Sequence, residues 1–572
     1  MTNRKHILLP FLLCFVIGIQ AQEVNLEVSG NRTVEPAYRI TKQPHLIDTV
    51  IPYSSIQYPL LTLKYDNSFE LDTIRSARIK LVDKLDKLYP GYVRLGLGNA
   101  ILPLFQLHYG STRSRKFVYD ARIHQLNSIG KVNGYAPANF NRNQIELSGK
   151  LNERKYSVKG DLHFNTLGLH QYGIPSTSVP ADSISQRYSD FGTSVYYEKH
   201  RKDSMSLNYA LGASYNYFRD KKPQIDSLSD WFAHENNIGF LGKIWYLFND
   251  EIIQSDFITR YNSFAYGVAG DSISAIDTGI VYNNLQLLIS PNITTFARNN
   301  RLKMKFGARL ALDVNDDRIQ PVSKVYLYPD VELKYSLFND IFIPYLIVSG
   351  DLEQQTLKSL SRQNEFILSQ ILPQSENRQM DTRLGMKGTL SNKFMFNTSA
   401  SYRLIKNKAL FVQDTLYSRS NRFRVIYDDI NEIALNASLI YEVEKLQIQA
   451  AGCYHIYQTK NEAFPWNLPA FELNTSLKYS LDIPLQFKLD ASAAFDRKAQ
   501  VFSATESDQE KNGVYAKNLG TILDLNFEAE YRYTNRFSAF LQFNNFAAQR
   551  YARWYNYPVL GFQVIGGISF RF

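Results

Sequence analysis

From about residue 91 onward the chain repeats one pattern: segments of roughly nine to fifteen residues in which apolar and polar side chains alternate. A period of two sends successive side chains to opposite faces of a strand. In residues 155–165, Tyr156, Val158, Leu162 and Phe164 share one face, while Ser157, Lys159, Asp161, His163 and Asn165 share the other. Residues 116–124 repeat the scheme, with Phe117, Tyr119, Ala121 and Ile123 opposed to Lys116, Asp120, Arg122 and His124. Leu207, Tyr209, Leu211, Ala213, Tyr215 and Tyr217 form one face of residues 207–217. A soluble sandwich would turn such a face inward, whereas a membrane barrel turns it to lipid and keeps the charged face in its lumen. Length decides between them. These segments outrun the usual five or six residues and match the roughly 9–11 that a tilted strand needs to cross a bilayer.

The connections alternate as well. Tight ones fall near Glu153-Arg154, Asn249-Asp250, Asn299-Asn300, Ser391-Asn392 and Asp482-Ile483. Between them lie long polar stretches such as 127–141, 167–189, 314–323, 352–380, 407–430 and 496–517. Short periplasmic turns facing long outer loops mark a transmembrane barrel. Counting from Gly91 predicts an all-β fold: an antiparallel barrel of about 22 strands (range about 20–24) spanning 91–572, with a short N-terminal periplasmic extension. The last strand ends on the final residue. There Gly567, Phe570 and Phe572 in IGGISFRF have the arrangement of an assembly signal for the barrel-assembly machinery.

Residues 1–21 predict export. Arg4, Lys5 and His6 precede an apolar run from Ile7 to Ile19, and Ala21 supplies the small residue before a cut. The expected location is the outer membrane of a Gram-negative bacterium. Residues 22–90 then form a periplasmic extension. Pro36, Pro44, Pro52 and Pro59 keep its first part extended, and Ile74, Ala77, Leu81, Leu85 and Leu88 have helical spacing up to Pro90. Two readings stay open: a lead-in lying on the barrel rim, or a segment that enters the lumen or docks a periplasmic partner.

Composition narrows the class. Hydrophobic residues make up 44% and the mean hydropathy is −0.29, too polar for a bundle of apolar helices. The 38 Tyr and 36 Phe exclude a disordered chain and suit lipid-facing and interfacial positions. The net charge of +10 falls to +8 when Arg4 and Lys5 leave with the signal. With no basic cluster, nucleic acid is not an expected partner. Cys14 also lies in the signal, so Cys453 is left as a lone thiol and no internal disulfide is expected.

No metalloprotease helix, phosphate loop, CxxC pair or nucleophile elbow is present, so the reading is a non-enzyme with no catalytic, metal or cofactor residue assigned. By alternation His108, Arg122, His124, Lys159, Asp161 and His163 are candidate lumen-lining residues. Asp313, Asn315, Asp316 and Asp317 read as a plain acidic loop, as do Asp428, Asp429 and Glu432. Within 352–380, Thr356 to Ile371 mixes Leu357, Leu360, Phe366, Ile367 and Leu368 with polar residues. That mixture suits a short helix over or into the lumen, or an ordinary packed outer loop.

Residues 537–572, FSAFLQFNNFAAQRYARWYNYPVLGFQVIGGISFRF, resemble the final hairpin of TonB-dependent receptor barrels. GYVRLGLGN at 91–99, LHYGSTRSRKFVYDARIH at 107–124 and LKSLSRQNEFIL at 357–368 resemble other parts of the same barrels. The resemblance implies 22 strands. It also implies a plug domain and a TonB box, whereas Gln22 to Pro90 is a stretch of 69 residues without a plug's Gly-rich strands. The expectation is therefore a receptor-like barrel lacking its plug that acts in passage of a solute across the outer membrane. The alternative is a non-transporting accessory or scaffold subunit of a larger outer-membrane complex. Expected partners are outer-membrane lipid and lipopolysaccharide, the barrel-assembly machinery, and a surface lipoprotein or periplasmic protein.

Overall fold

The computed structural model describes residues 87–199, 207–221, 230–248, 251–269, 280–316, 322–416 and 418–572. The signal peptide, and the extension as far as residue 86, lie outside the described residues.

Twenty-two antiparallel strands form one closed sheet. Gly91–Gly98 is the first and Gln563–Arg571 the last. They pair with each other from Tyr92↔Arg571 to Gly98↔Ile565, which removes both sheet edges. The seam is packed closely enough to need glycine. A methyl group on Gly567 would lie 2.1 Å from the Leu95 carbonyl oxygen and 2.5 Å from the Phe540 ring. Phe540 in turn packs with Ile101, Leu104 and Ile565, and carries the Arg94 guanidinium 3.6 Å from its ring centroid. At the other end of the seam the Phe572 ring covers Gly91 and stacks on Tyr109 at 6.4 Å. Gly567 thus leaves room for the seam and Phe572 packs across its end, while Phe570 stands exposed on the outward face.

The outward face is the apolar face of the sequence pattern. Leu211 is 55% exposed, Leu384 63% and Leu327 72%, values that in water would be an unexplained cost and in hydrocarbon are favourable. Aromatic rows cross neighbouring strands near both rims. Tyr156, Tyr197 and Tyr209 lie 5.8 and 5.9 Å apart at the end with short turns. Phe527, Phe543 and Phe562 lie 6.1 and 6.0 Å apart toward the end with long loops. Such belts suit the two membrane–water interfaces.

Several strands continue far above the lipid. Phe394–Gln413 and Phe423–Glu442 have 20 residues each. At about 3.3 Å per residue they reach roughly 66 Å, against a hydrocarbon core of about 30 Å. This corrects the expected loops at 407–430 and 314–323. Pairing runs to Gln413↔Phe423 in one case and Asn283↔Asp316 in the other. Asp313, Asn315, Asp316, Asp428, Asp429 and Glu432 therefore stand on strands, not in acidic loops, and Asp317 lies outside the described residues. Beyond the membrane the outward face meets water, so alternation fades while the backbone ladder persists. The outer connection after Leu485–Phe495 carries a small sheet of its own: Lys498–Val501, Gln509–Lys511 and Val514–Asn518.

Candidate solute site in the outer lumen

The connection between strands Ile343–Glu353 and Glu376–Ser391 folds into the barrel. It contains the helix Leu357–Gln363, which has a full set of caps. The Thr356 hydroxyl accepts from the Ser359 N–H, and the Ser359 hydroxyl accepts from the Thr356 N–H. That leaves the first two helical N–H groups, which a helix cannot satisfy internally. Both donate to Glu235 on the barrel wall, Leu357 at 2.7 Å and Lys358 at 2.9 Å. The Glu235 carboxylate is fully buried, and it complements the positive end of the helix.

Other wall residues hold the same segment. Asp190, 5% exposed, accepts from Lys358 at 2.7 Å and Arg362 at 3.3 Å, and from Asn216 and Asn165 on neighbouring strands. Burial pulls the Lys358 ammonium below the ordinary lysine range, opposed by the Asp190 carboxylate that holds it charged. Arg142 pairs with Glu365 at 3.0 Å, Asp220 accepts from Ser369, and Ser375 joins Gln286 and Asp313 at 2.9 and 3.1 Å. The apolar side of the segment is buried too. Leu357, Leu360, Ile367 and Ile371 pack with Phe218, Ala233, Phe264 and Tyr282 of the wall. Ile367 forms a parallel bridge with Phe423, framed by hydrogen bonds of 3.0 and 2.8 Å. The expectation of a short helix over or into the lumen matches this arrangement; an ordinary outer loop does not.

Beside the segment lies a cavity of about 550 Å³. Glu365 and Phe366 form one side. The opposite side is the wall of the last strands, where Asp490, Asn526, Asn544 and Gln563 stand in a row. Asp490 pairs with Asn526 and Asn544 with Gln563 in the strand register, and Asn526 follows the Phe527↔Phe543 pair that brings it level with Asn544. The last outer loop covers the cavity with Tyr551, Arg553 and Tyr557. Tyr557 is buried, stacks on Phe366 at 3.8 Å and donates to the Asn421 carbonyl at 2.5 Å. Burial first, then the Asp524 carboxylate, pushes the Tyr551 phenol up to about 12. Arg497 buttresses this loop through the carbonyls of Arg553 and Ala552 at 2.8 and 2.7 Å, and burial pushes its guanidinium down to about 10.

The six sequence candidates lie on the same sheet face as Asp190, linked by register pairs such as His108↔Arg122 and Glu146↔His163. They are largely paired among themselves and their neighbours. His108 and Arg122 both meet Asp120, His124 meets Gln144 at 3.2 Å, and Lys159 meets Asp161 at 2.9 Å. Only His163 touches the network of the inward segment, 3.5 Å from Asp190. None of the six lines the cavity. The residues that do, together with Glu235 and Asp190, were missed because alternation tells which face a side chain takes, not which other element it meets. The one usable signal was the apolar run inside a polar loop at Thr356–Ile371, which required a buried counterpart.

No known protein family profile and no curated protein sequence matches this chain. Solved structures do match. The pyoverdine outer membrane receptor FpvA from Pseudomonas aeruginosa PAO1 superposes with a TM-score of 0.63 at 12% identity, over 86% of this chain and 79% of that one. The copper transporter OprC gives 0.63 at 10% identity, over 85% and 82%. The chain has the barrel fold of TonB-dependent receptors. A further TonB-dependent-receptor-type barrel, the ferric yersiniabactin uptake receptor FyuA from Yersinia pestis, gives 0.62 at 10% identity, over 85% and 80%. The 22 strands agree with what the resemblance of the C-terminal hairpin implied.

Proposed function

We propose that this protein sits in the outer membrane and passes or takes up a hydrophilic solute through its barrel, receptor-like but without a plug of its own. The cavity beside the inward segment is the point of first capture, and residues 354–375 stand in the solute's path. The observation that carries this reading is the cavity itself: polar side chains of four consecutive strands face a segment that is part of the lumen filling. Reconstituted proteoliposomes test the reading. Entry of a small hydrophilic solute above that of protein-free vesicles is expected, and it should rise when residues 357–371 are replaced by a short Gly/Ser linker. Vesicles that stay sealed with either protein would refute it.

A second reading, a non-transporting accessory subunit, draws on the density of buried polar contacts around Asp190, Asp220 and Glu235, which suits a lumen closed for good. It requires stable co-purification with other envelope proteins and no solute flux in their presence.

A further inference from the structure

We infer that the outer cavity is a binding site for a neutral carbohydrate, held by the row Asp490, Asn526, Asn544 and Gln563 and covered by Phe366 and Tyr551. This rests on the capture site proposed above and names the class of its ligand. Three observations carry it.

The row supplies both donors and acceptors. Asp490, whose oxygens already accept from Ser476 at 2.7 Å and Lys488 at 2.6 Å, keeps a further lone pair on each, and the three amides offer NH₂ and carbonyl groups together. Among the described residues the side-chain amide of Gln563 and the NH₂ groups of Asn526 and Asn544 have no protein partner, although all three are half-buried. Unmade hydrogen bonds on a cavity wall are capacity for a ligand rich in groups that both give and accept them. Hydroxyls do this, and a chain of sugar rings presents them at each unit. Neighbouring strands lie about 4.8 Å apart, so the row repeats its groups at close to the length of one ring.

The side facing the row is aromatic. Phe366 and Tyr551 border the cavity without being fully buried, so ring surface is left for the C–H face of a sugar. Tyr557 and Tyr172 have their hydroxyls taken, by the Asn421 carbonyl at 2.5 Å and the Pro558 carbonyl at 3.0 Å, and serve to hold the cover in place.

Charge is the third observation. The lining has three carboxylates, Glu365, Asp490 and Asp524, against two guanidiniums, Arg142 and Arg553. Arg142 is already engaged by Glu365, and Asp490 by Lys488 at 2.6 Å. With those two pairs closed, Asp524 and Arg553 remain and balance each other, so a multiply charged anionic chelate or phosphate finds no excess of guanidinium there.

The test is calorimetric titration of the detergent-purified full-length protein with neutral oligosaccharides (maltodextrins, xylo-, manno- and cello-oligosaccharides). A ferric trihydroxamate chelate and mixed short peptides serve as the competing classes. One neutral oligosaccharide is expected to bind saturably. Asn544→Ala and Gln563→Ala should each weaken it roughly tenfold, and Tyr551→Ala should weaken it more than Tyr551→Phe. Heat-modifiable migration confirms that each variant has closed its barrel. The inference is overturned if no oligosaccharide binds, if these substitutions leave its affinity unchanged, or if the chelate or a peptide binds in its place. Solute flux into proteoliposomes reports separately. Binding without flux would sink the transport reading and keep the carbohydrate site, whereas flux without oligosaccharide binding would do the reverse.

Discussion

Removal of the Glu235 carboxylate should release the inward segment. In Glu235→Ala the N–H groups of Leu357 and Lys358 lose acceptors at 2.7 and 2.9 Å, in a place where Leu357 and the carboxylate itself are fully buried. Burial pushes the Glu235 carboxyl above the ordinary carboxylate range, opposed by these two N–H groups. Hydrogen bonds to its ionised form contribute about 1.5–3 kcal/mol each, so the two together hold the helix start with roughly 3–6 kcal/mol. Water entering the vacated space recovers part of this. A net loss of about 3 kcal/mol corresponds to roughly a hundredfold rise in the fraction of time the segment is open. Amide hydrogen exchange followed by mass spectrometry reads that fraction directly. Peptides covering 354–375 should exchange about a hundredfold faster, while strands such as Phe394–Gln413 keep their protection. Glu235→Gln retains one accepting oxygen and should show about half the effect in free energy. Unchanged exchange across 354–375 in a properly closed Glu235→Ala barrel would refute the claim that this carboxylate anchors the helix.

Leu360→Ala tests the apolar half of the same anchor. Its side chain is fully buried in the cluster with Phe264 and Tyr282, so about 2–5 kcal/mol of local stability should be lost, again seen as faster exchange confined to the segment. Gly567→Ala should impair closure of the seam, because its methyl group would fall 2.1 Å from the Leu95 carbonyl oxygen; loss of heat-modifiable migration is the expected result, and normal migration would mean that the two strands can separate freely there. Phe572→Ser should slow assembly through the lost contact with Gly91 and Tyr109, measured as accumulation of unfolded chain in pulse-labelled cells. The Tyr551 phenol provides a pH test. Its value in the folded protein, about 12, exceeds the ordinary value near 10, so its contribution to docking of the last outer loop is fully present below pH 10 and is lost as pH rises through about 12. Tyrosinate absorbance should show a late-titrating group that disappears in Tyr551→Phe; an unchanged titration curve in that variant would contradict the assignment.

The barrel was legible in the sequence because a lipid-facing strand must alternate, and because an antiparallel barrel puts successive connections on opposite sides of the membrane, short turns on one and long loops on the other. Leu211, Tyr215 and Phe117 were placed on the outward face by that rule, and they are exposed. The rule has a definite reach. Where strands rise above the membrane, water replaces lipid on the outward face and the inward face packs on polar loops, so buried residues such as Asp313 and Asp428 no longer look like strand residues. The inward segment was half legible. Leu357, Leu360 and Ile367 at helical or extended spacing in a polar loop demanded burial, but nothing in the chain's local pattern named Glu235, more than a hundred residues earlier, as the acceptor of the helix N–H groups. The cavity was not legible at all. Asp490, Asn526, Asn544 and Gln563 are ordinary luminal polar residues until the register of four strands sets them side by side.

Single-channel recording in planar bilayers bears most directly on the central claim, that residues 354–375 fill the outer lumen of a conduit. The intact protein should give at most small, intermittent currents. The variant with 357–371 replaced by a Gly/Ser linker should give large, stable, ohmic ones, reduced again by the oligosaccharide that fits the cavity. Equal conductance in the two proteins would contradict the account.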